Sequence, residues 1–241
     1  MLSAGAIIAG APAQAATLAP FASYTMTGTR TTIDWTKTGA TGGSIFSTLG
    51  NGSSLGSPTV TFYFLDTTQY LSGLSAKLTL SGTAPSGNPA SNAVLQGGIG
   101  STANPGSFSF LYTGPTQSFA GHTYTHNVTN LLSGAYTMAQ ISGSGTSGSL
   151  HDSTMIGTLS FSSDIITNLP TATAEDFSFS LVSVAPQYGY VAGQSLNSFK
   201  AAATGIFSAG FVPEPAAWAM IVIGFGALGV ALRSRRKVLA A

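Results

Sequence analysis

The sequence predicts a mainly β protein: an antiparallel β-sandwich or jelly-roll-like domain, followed by one C-terminal transmembrane helix. Three observations lead to this prediction. Apolar and polar residues alternate at period two in several short runs, clusters of Gly, Ser, Asn and Pro separate those runs, and a long uncharged apolar stretch stands near the C-terminus. Alternation is typical of strands with one buried face, and such a stretch is typical of a membrane span.

The clearest alternation lies in Gly106–Tyr112 and Asp176–Leu181, which place Phe108, Phe110 and Tyr112, and Phe177, Phe179 and Leu181, at every second position. The other β-branched or aromatic runs are Pro58–Leu65, Lys77–Leu80, Ala135–Ile141 and Thr154–Phe161. Short strands divided by turn residues at this spacing indicate a sandwich or jelly roll rather than βαβ units. We therefore predict a β-rich domain over residues 17–196, and residues 197–212 form either its last strand or a linker.

Charged residues are only 6% of the 241, and there is no cysteine. An average soluble domain carries about 25% charged residues. So few basic residues exclude an electrostatic nucleic-acid binder, and the lack of cysteine excludes disulfides, thiolate catalysis and cysteine metal sites. We expect no metal and no cofactor. The polar surface must consist largely of hydroxyl and amide groups.

Residues 1–16 are predicted to be a secretory signal peptide, so the β-rich domain is expected to be extracellular. A short apolar run ends in Ala13-Gln14-Ala15, an A-x-A cleavage pattern, with cleavage after Ala15 or Ala16. No Lys or Arg follows Met1, and a start a few residues upstream would supply that basic region. A buried apolar N-terminal helix is the alternative.

The predicted transmembrane helix is Ala216–Leu232, which holds 17 residues without a charge. At 1.5 Å per residue it spans about 25 Å, just enough for a thin hydrocarbon core. Trp218 stands near one end, where an indole prefers the membrane interface. A basic stop-transfer cluster closes the other end and is expected to stay in the cytoplasm; it consists of Arg233, Arg235, Arg236 and Lys237.

The tripeptide Pro213-Glu214-Pro215 precedes this helix. Each proline has a fixed φ and no N–H, and Glu214 is driven out of the α region by the proline after it. The tripeptide is therefore extended and poor in backbone hydrogen bonds. A membrane-bound protease needs its substrate in such a conformation.

The last 29 residues resemble a PEPxxWA-type PEP-CTERM sorting domain, the tail of a group of exported proteins of Gram-negative bacteria. The features that match, in order, are Pro213-Glu214-Pro215, Trp218-Ala219, Gly224-Phe225-Gly226, the apolar helix and the terminal arginines. The resemblance implies a partner, an exosortase, which is an inner-membrane cysteine transpeptidase that recognises and removes the tail. It also implies an inner-membrane-anchored precursor whose body then moves to the cell surface or extracellular matrix.

The body resembles, more loosely, the uncharacterised extracellular regions that precede such tails. The similar stretches are Pro20–Thr29, Gly106–Tyr112, Thr129–Gly143 and Asp176–Val184. No chemistry is assigned to those regions, so the resemblance implies a location and not an activity.

Residues of possible chemical use are few, and their settings argue against catalysis. Ser54 stands in a G-x-S-x-G match, and residues 143–148 match G-x-G-x-x-G, but both lie in Gly/Ser-rich loops without the required strand and helix. His122 and His126 lie in an alternating stretch, where strand spacing would hold them about 13 Å apart, too far for one ion. His151 and Asp152 are expected in a glycine-rich turn with no nucleophile close by.

The carboxylates stand in no catalytic motif; those of the body are Asp34, Asp66, Asp152, Asp164, Glu175 and Asp176. Glu175 and Asp176 are expected to be a strand-entry feature, or at best part of a calcium site.

We therefore expect a non-catalytic protein of the cell envelope or extracellular matrix, associated with exopolysaccharide or biofilm. Two alternatives stay open. One is a carbohydrate-binding module whose exposed aromatic residues stack on sugars, the candidates being Trp35, Tyr63, Tyr70, Tyr112 and Tyr124. The other is a glycan-active enzyme, which needs a cleft with convergent carboxylates or histidines.

Overall fold

The computed structural model describes residues 18–27, 31–49, 55–87, 89–90, 95–167, 169 and 174–210. The predicted signal peptide and the sorting segment at residues 213–241 lie outside these residues. Within them, the strands in chain order are β1 (Ala19–Met26), β2 (Ile33–Thr38), β3 (Gly42–Ser47), β4 (Thr59–Phe64), β5 (Leu74–Ala84), β6 (Leu95–Ile99), β7 (Gly106–Tyr112), β8 (Gln117–Phe119), β9 (His122–Tyr124), β10 (Asn130–Tyr136), β11 (Ala139–Ser144), β12 (Ser147–Ser153), β13 (Leu159–Ser162), β14 (Ala174–Ala185) and β15 (Phe199–Gly210).

The prediction of a mainly β, antiparallel fold is confirmed. Thirteen strands join one antiparallel sheet, and β8 and β9 form a separate hairpin. No helix in the described part of the chain is long and apolar enough to cross a membrane. The predicted transmembrane helix lies outside that part.

The sheet closes on itself through β5 and β15, each of which pairs with two strands along one of its edges. One edge of β5 pairs with β7, while its other edge pairs first with β4 and then with β3. In the same way β15 pairs with β14 on one edge and with β2 and β1 on the other. Because β4 pairs with β1 and β3 pairs with β2, six strands form a ring of hydrogen-bonded pairs.

A single aromatic core fills the space that this folded sheet encloses. The Phe108 ring of β7 lies 5.2 Å from the Phe177 ring and 5.6 Å from the Phe179 ring, centre to centre. Those two rings belong to β14, which is not a neighbour of β7 in the sheet. The sheet therefore packs face to face across its core, as the layers of a sandwich do.

The sequence predicts either a strand or a linker at residues 197–212, and the structure shows that this stretch contains the central strand β15. Phe207 of this strand is fully buried, and its ring centre lies 5.2–6.4 Å from six other rings. Gly205 allows the close approach, since a Cβ there would lie 2.4 Å from Tyr24 Cε1 and 2.7 Å from Phe179 Cδ1.

Two predicted strands are wrong in their extent. The run Ala135–Ile141 is not one strand but the end of β10, a two-residue turn and the start of β11. Met138 takes a left-handed conformation in that turn, with φ of 69°. The run Thr154–Phe161 begins with a turn, and only Leu159–Ser162 is a strand. Apolar residues continue through both turns, so the hydrophobic pattern alone does not show where the strands end.

Candidate functional site

The sorting residues that the sequence singled out lie outside the described residues. They are Pro213, Glu214, Pro215, Trp218 and Ala219 of the motif, the stop-transfer residues Arg233, Arg235, Arg236 and Lys237, and the signal-cleavage residues Ala13 and Ala15. Ser54 of the G-x-S-x-G match also lies outside them. A candidate site in the body must therefore be built from the β-rich domain itself.

Three of the five aromatic residues proposed for sugar stacking belong to the core. Trp35, Tyr112 and Tyr124 are at most 1% exposed. Their polar atoms bond within the body: Trp35 Nε1 donates to Leu196 O at 3.2 Å, Tyr112 Oη donates to Pro115 O at 2.7 Å, and Tyr124 Oη accepts from the Leu71 N–H at 3.0 Å. Only Tyr63 and Tyr70 of that set are partly accessible, so the other three candidates are not available for stacking on a sugar.

The histidine stretch is a short strand followed by a turn, not one continuous strand. His122 lies in β9, which ends at Tyr124. His126 follows it, and its Nδ1 lies 3.0 Å from both Thr113 O and Gly114 O. Asn127, with φ of 55°, turns the chain there. Across the described ranges, no three His, Asp or Glu side chains group in a way that could hold a metal ion.

Exposed and half-buried hydroxyl-bearing residues form rows across the outer faces of the sheet. We call three sets of directly opposite residues the hydroxyl rows. They are Thr79, Ser109, Ser133 and Ser162 across β5, β7, β10 and β13; Ser81, Ser107 and Ser160, with Ala135 between the last two, across the same strands; and Ser142, Ser149, Ser180 and Thr204 across β11, β12, β14 and β15.

Several of these hydroxyl groups bond to one another. Oγ–Oγ distances of 3.1 Å join Ser81 to Ser107, Ser133 to Ser162, and Ser142 to Ser149. A hydroxyl both donates and accepts, so each pair keeps capacity for an outside partner. The rows thus present an uncharged surface that can exchange hydrogen bonds with water or with other hydroxyl groups.

A pocket of about 520 Å³ lies where β2 meets β15, and we call it the Asp34 pocket. Asp34 and Lys200 stand directly opposite each other in the two strands. Asp34 is only 6% exposed, and its Oδ1 accepts from Thr36 Oγ1 at 3.1 Å. Burial raises the pKa of Asp34, and the Thr36 hydrogen bond and the Lys200 charge oppose that rise.

Two further carboxylates face the core from neighbouring strands. The Glu175 side chain of β14 accepts the Phe161 N–H, with both carboxylate oxygens 3.2 Å from that nitrogen. It thereby satisfies an edge donor of the short strand β13. Burial raises the pKa of Glu175, and this hydrogen bond opposes the rise.

Asp152 lies in β12 and not in a turn, so the sequence prediction for it is wrong. It is fully buried opposite Phe177, and its Oδ1 accepts from the Ser153 N–H at 2.8 Å. Its Oδ2 has no hydrogen-bond partner among the described residues. Burial raises the pKa of Asp152 to about 7, opposed by the Ser153 N–H and reinforced by the charge of Asp176.

This buried carboxyl makes the stability of the body fall as pH rises. The folded pKa of Asp152 lies above its unfolded value of 3.8, so the folded state holds the proton more tightly. Its stabilisation is complete below about pH 4, is lost progressively up to about pH 7, and amounts to at most about 4 kcal/mol. We expect urea unfolding of the wild-type protein to need less urea at pH 8 than at pH 4.5.

Asp152→Asn should make this fall smaller, because the amide does not ionise, while the raised pKa values of Glu175 and Asp34 leave part of it in place. Exposed Asp66→Asn is the matched control and should keep the wild-type fall. A wild-type protein that gains stability between pH 4.5 and pH 8 would contradict the assignment, as would an Asp152→Asn variant with the wild-type slope.

Comparison with known proteins identifies one family feature, at the C-terminus. Residues 211–237 match the family model of the PEP-CTERM protein-sorting motif. No curated protein and no solved structure matches the chain. The expected resemblance of the body to extracellular regions of the same group therefore has no support from these comparisons.

Proposed function

We propose that this PEP-CTERM sorting-domain protein is a non-catalytic component of the cell surface or extracellular matrix, associated there with exopolysaccharide. The sorting motif marks an exported chain whose membrane-anchored precursor is a target of an exosortase, a membrane enzyme. The proposal adds the role of the body after the tail has been removed.

The observation that carries this proposal is the set of hydroxyl rows on the outer faces of the sheet. A polysaccharide in water presents mostly hydroxyl groups, and neutral hydroxyl groups exchange hydrogen bonds with one another at little net cost. Such contacts carry no ionic charge, so salt screening does not weaken them. A body with this surface suits a hydrated, sugar-rich layer.

Cell fractionation tests the proposal. In a strain that makes exopolysaccharide, we expect an antibody against the body to detect the processed protein in the surface and matrix fraction. In a strain whose polysaccharide synthesis is blocked, the protein should instead appear in the medium. Retention of the body in the inner membrane of wild-type cells would contradict the proposal, and so would glycan hydrolysis or cleavage by the purified protein.

A further inference from the structure

We infer that the Asp34 pocket binds a short neutral saccharide through a pair of adjacent hydroxyl groups. This inference rests on the proposed association with polysaccharide and names the site on the body that contacts it. The volume of about 520 Å³ is within the range of about 300–1,000 Å³ that small-molecule sites occupy.

The charges of the pocket select a neutral ligand. The Asp34 carboxylate accepts hydrogen bonds, and the Lys200 ammonium on the opposite strand donates them. A ligand with a single charge is attracted by one of these two groups and repelled by the other, so its charge gains little from the pair. A neutral diol suits both groups, because one hydroxyl donates to the carboxylate while its neighbour accepts from the ammonium.

The remaining lining supplies one more polar group and an apolar wall. Ser198 Oγ accepts from the Lys37 N–H at 2.9 Å, which orients that hydroxyl at the pocket and leaves its own hydrogen as a donor. Ala185 and Pro186, which follow the bulge near the end of β14, line the pocket with aliphatic surface. A pyranose ring has a hydroxyl-bearing rim and C–H faces, so it can contact polar and apolar walls at once.

Charged residues are rare in the body, so a pocket that contains two of them is unusual. Only ten charged residues lie between Thr17 and Val212, four basic and six acidic. One acid and one base of this small set meet across two strands in a pocket, with the acid almost fully buried. Burying a carboxylate is unfavourable unless its hydrogen bonds are satisfied, and among the described residues Asp34 accepts a hydrogen bond from one hydroxyl, that of Thr36. A ligand hydroxyl would supply a second.

The experiment titrates the full chain with neutral sugars, in a detergent without a sugar headgroup so that the detergent does not compete. The probes are glucose, galactose, mannose, N-acetylglucosamine and their β-linked disaccharides, followed by NMR or calorimetry. Glucuronate and glucosamine are the charged comparison probes. We expect saturable binding of at least one neutral probe, and weaker binding of both charged probes.

Two variants test whether the sugar binds in the Asp34 pocket. Asp34→Asn and Lys200→Met should each raise the dissociation constant at least about tenfold, because each removes a charge-assisted hydrogen bond. Asp66→Asn and Lys77→Met remove the same charges at exposed positions elsewhere and should bind as the wild type does. Unfolding curves show whether the Asp34→Asn variant is folded. Lys200→Met changes a partly exposed residue and is an independent test of binding in the pocket.

Three outcomes would overturn the inference: no binding of any neutral probe, wild-type affinity in both pocket variants, or tighter binding of a charged probe than of every neutral one. These outcomes leave the proposed function standing if fractionation still finds the body in the matrix. Conversely, pocket binding with the body absent from the matrix would refute the proposed function alone.

Discussion

Phe207→Ala is expected to destabilise the body by about 3–5 kcal/mol, the usual cost of emptying a buried phenylalanine site. The Phe207 ring is fully buried and lies among six aromatic rings from five other strands, so removing it leaves a cavity at the centre of the core. Domains of this kind have total stabilities of about 5–15 kcal/mol. Urea unfolding followed by tryptophan fluorescence measures the loss.

The next residue along β15 provides the control. Ile206 points to the outer face and is 53% exposed, so Ile206→Ala should change stability by no more than about 0.5 kcal/mol. Equal unfolding midpoints for the two variants would show that this segment is a linker outside the core, against the structure described above.

Replacing Pro213, Glu214 and Pro215 together by alanine is expected to abolish removal of the tail, so that the unprocessed precursor accumulates in the inner membrane. Alanine restores the backbone N–H groups and favours helix, which lets the predicted membrane helix extend back through the motif. The extended conformation that a transpeptidase needs is then lost. Immunoblotting of membrane and surface fractions compares the precursor with the processed protein.

Lys237→Arg keeps the charge of the tail and is the matched control, with normal processing expected. Glu214→Gln removes the carboxylate charge and keeps both prolines. It therefore distinguishes the contribution of that charge to processing from the contribution of the backbone conformation. Wild-type processing of the triple-alanine chain would contradict the role assigned to the motif.

The sequence was sufficient for strands in which alternation ends at clear turn residues. β7 occupies the predicted run Gly106–Tyr112 residue for residue, and β14 contains the predicted run Asp176–Leu181. Phe108, Phe110, Phe177 and Phe179 all face the core as the period-two pattern requires. In these runs large apolar side chains recur at every second position, so a single register buries them all.

The rest of the fold could not be predicted from the sequence, because it depends on small residues and on tertiary strand pairing. β15 is rich in Ala and Gly, which carry little hydrophobic signal, yet its place between β14, β1 and β2 buries most of it. The turn at Met138 contains neither Gly nor Pro, so the sequence pattern there predicts a continuous strand. Strand propensity depends on such neighbours more than on the residue itself.

The two candidate sites also differ in how far the sequence alone can predict them. The sorting segment is contiguous and could be identified from consecutive residues alone, and the family match at residues 211–237 agrees. The Asp34 pocket joins residues far apart in the chain, and only the pairing of β2 with β15 places Asp34 opposite Lys200. The one available signal was that charged residues are rare in this body.

The central claim is that this chain is exported and that its C-terminal tail is then removed. The most direct measurement is the intact mass of the protein isolated from wild-type cells of a producing strain, compared with cells that lack the exosortase. We expect the wild-type mass to be that of a protein that begins after Ala15 or Ala16 and lacks Ala216–Leu232. In the mutant we expect a heavier precursor. A wild-type surface protein with Ala216–Leu232 still attached would contradict the account.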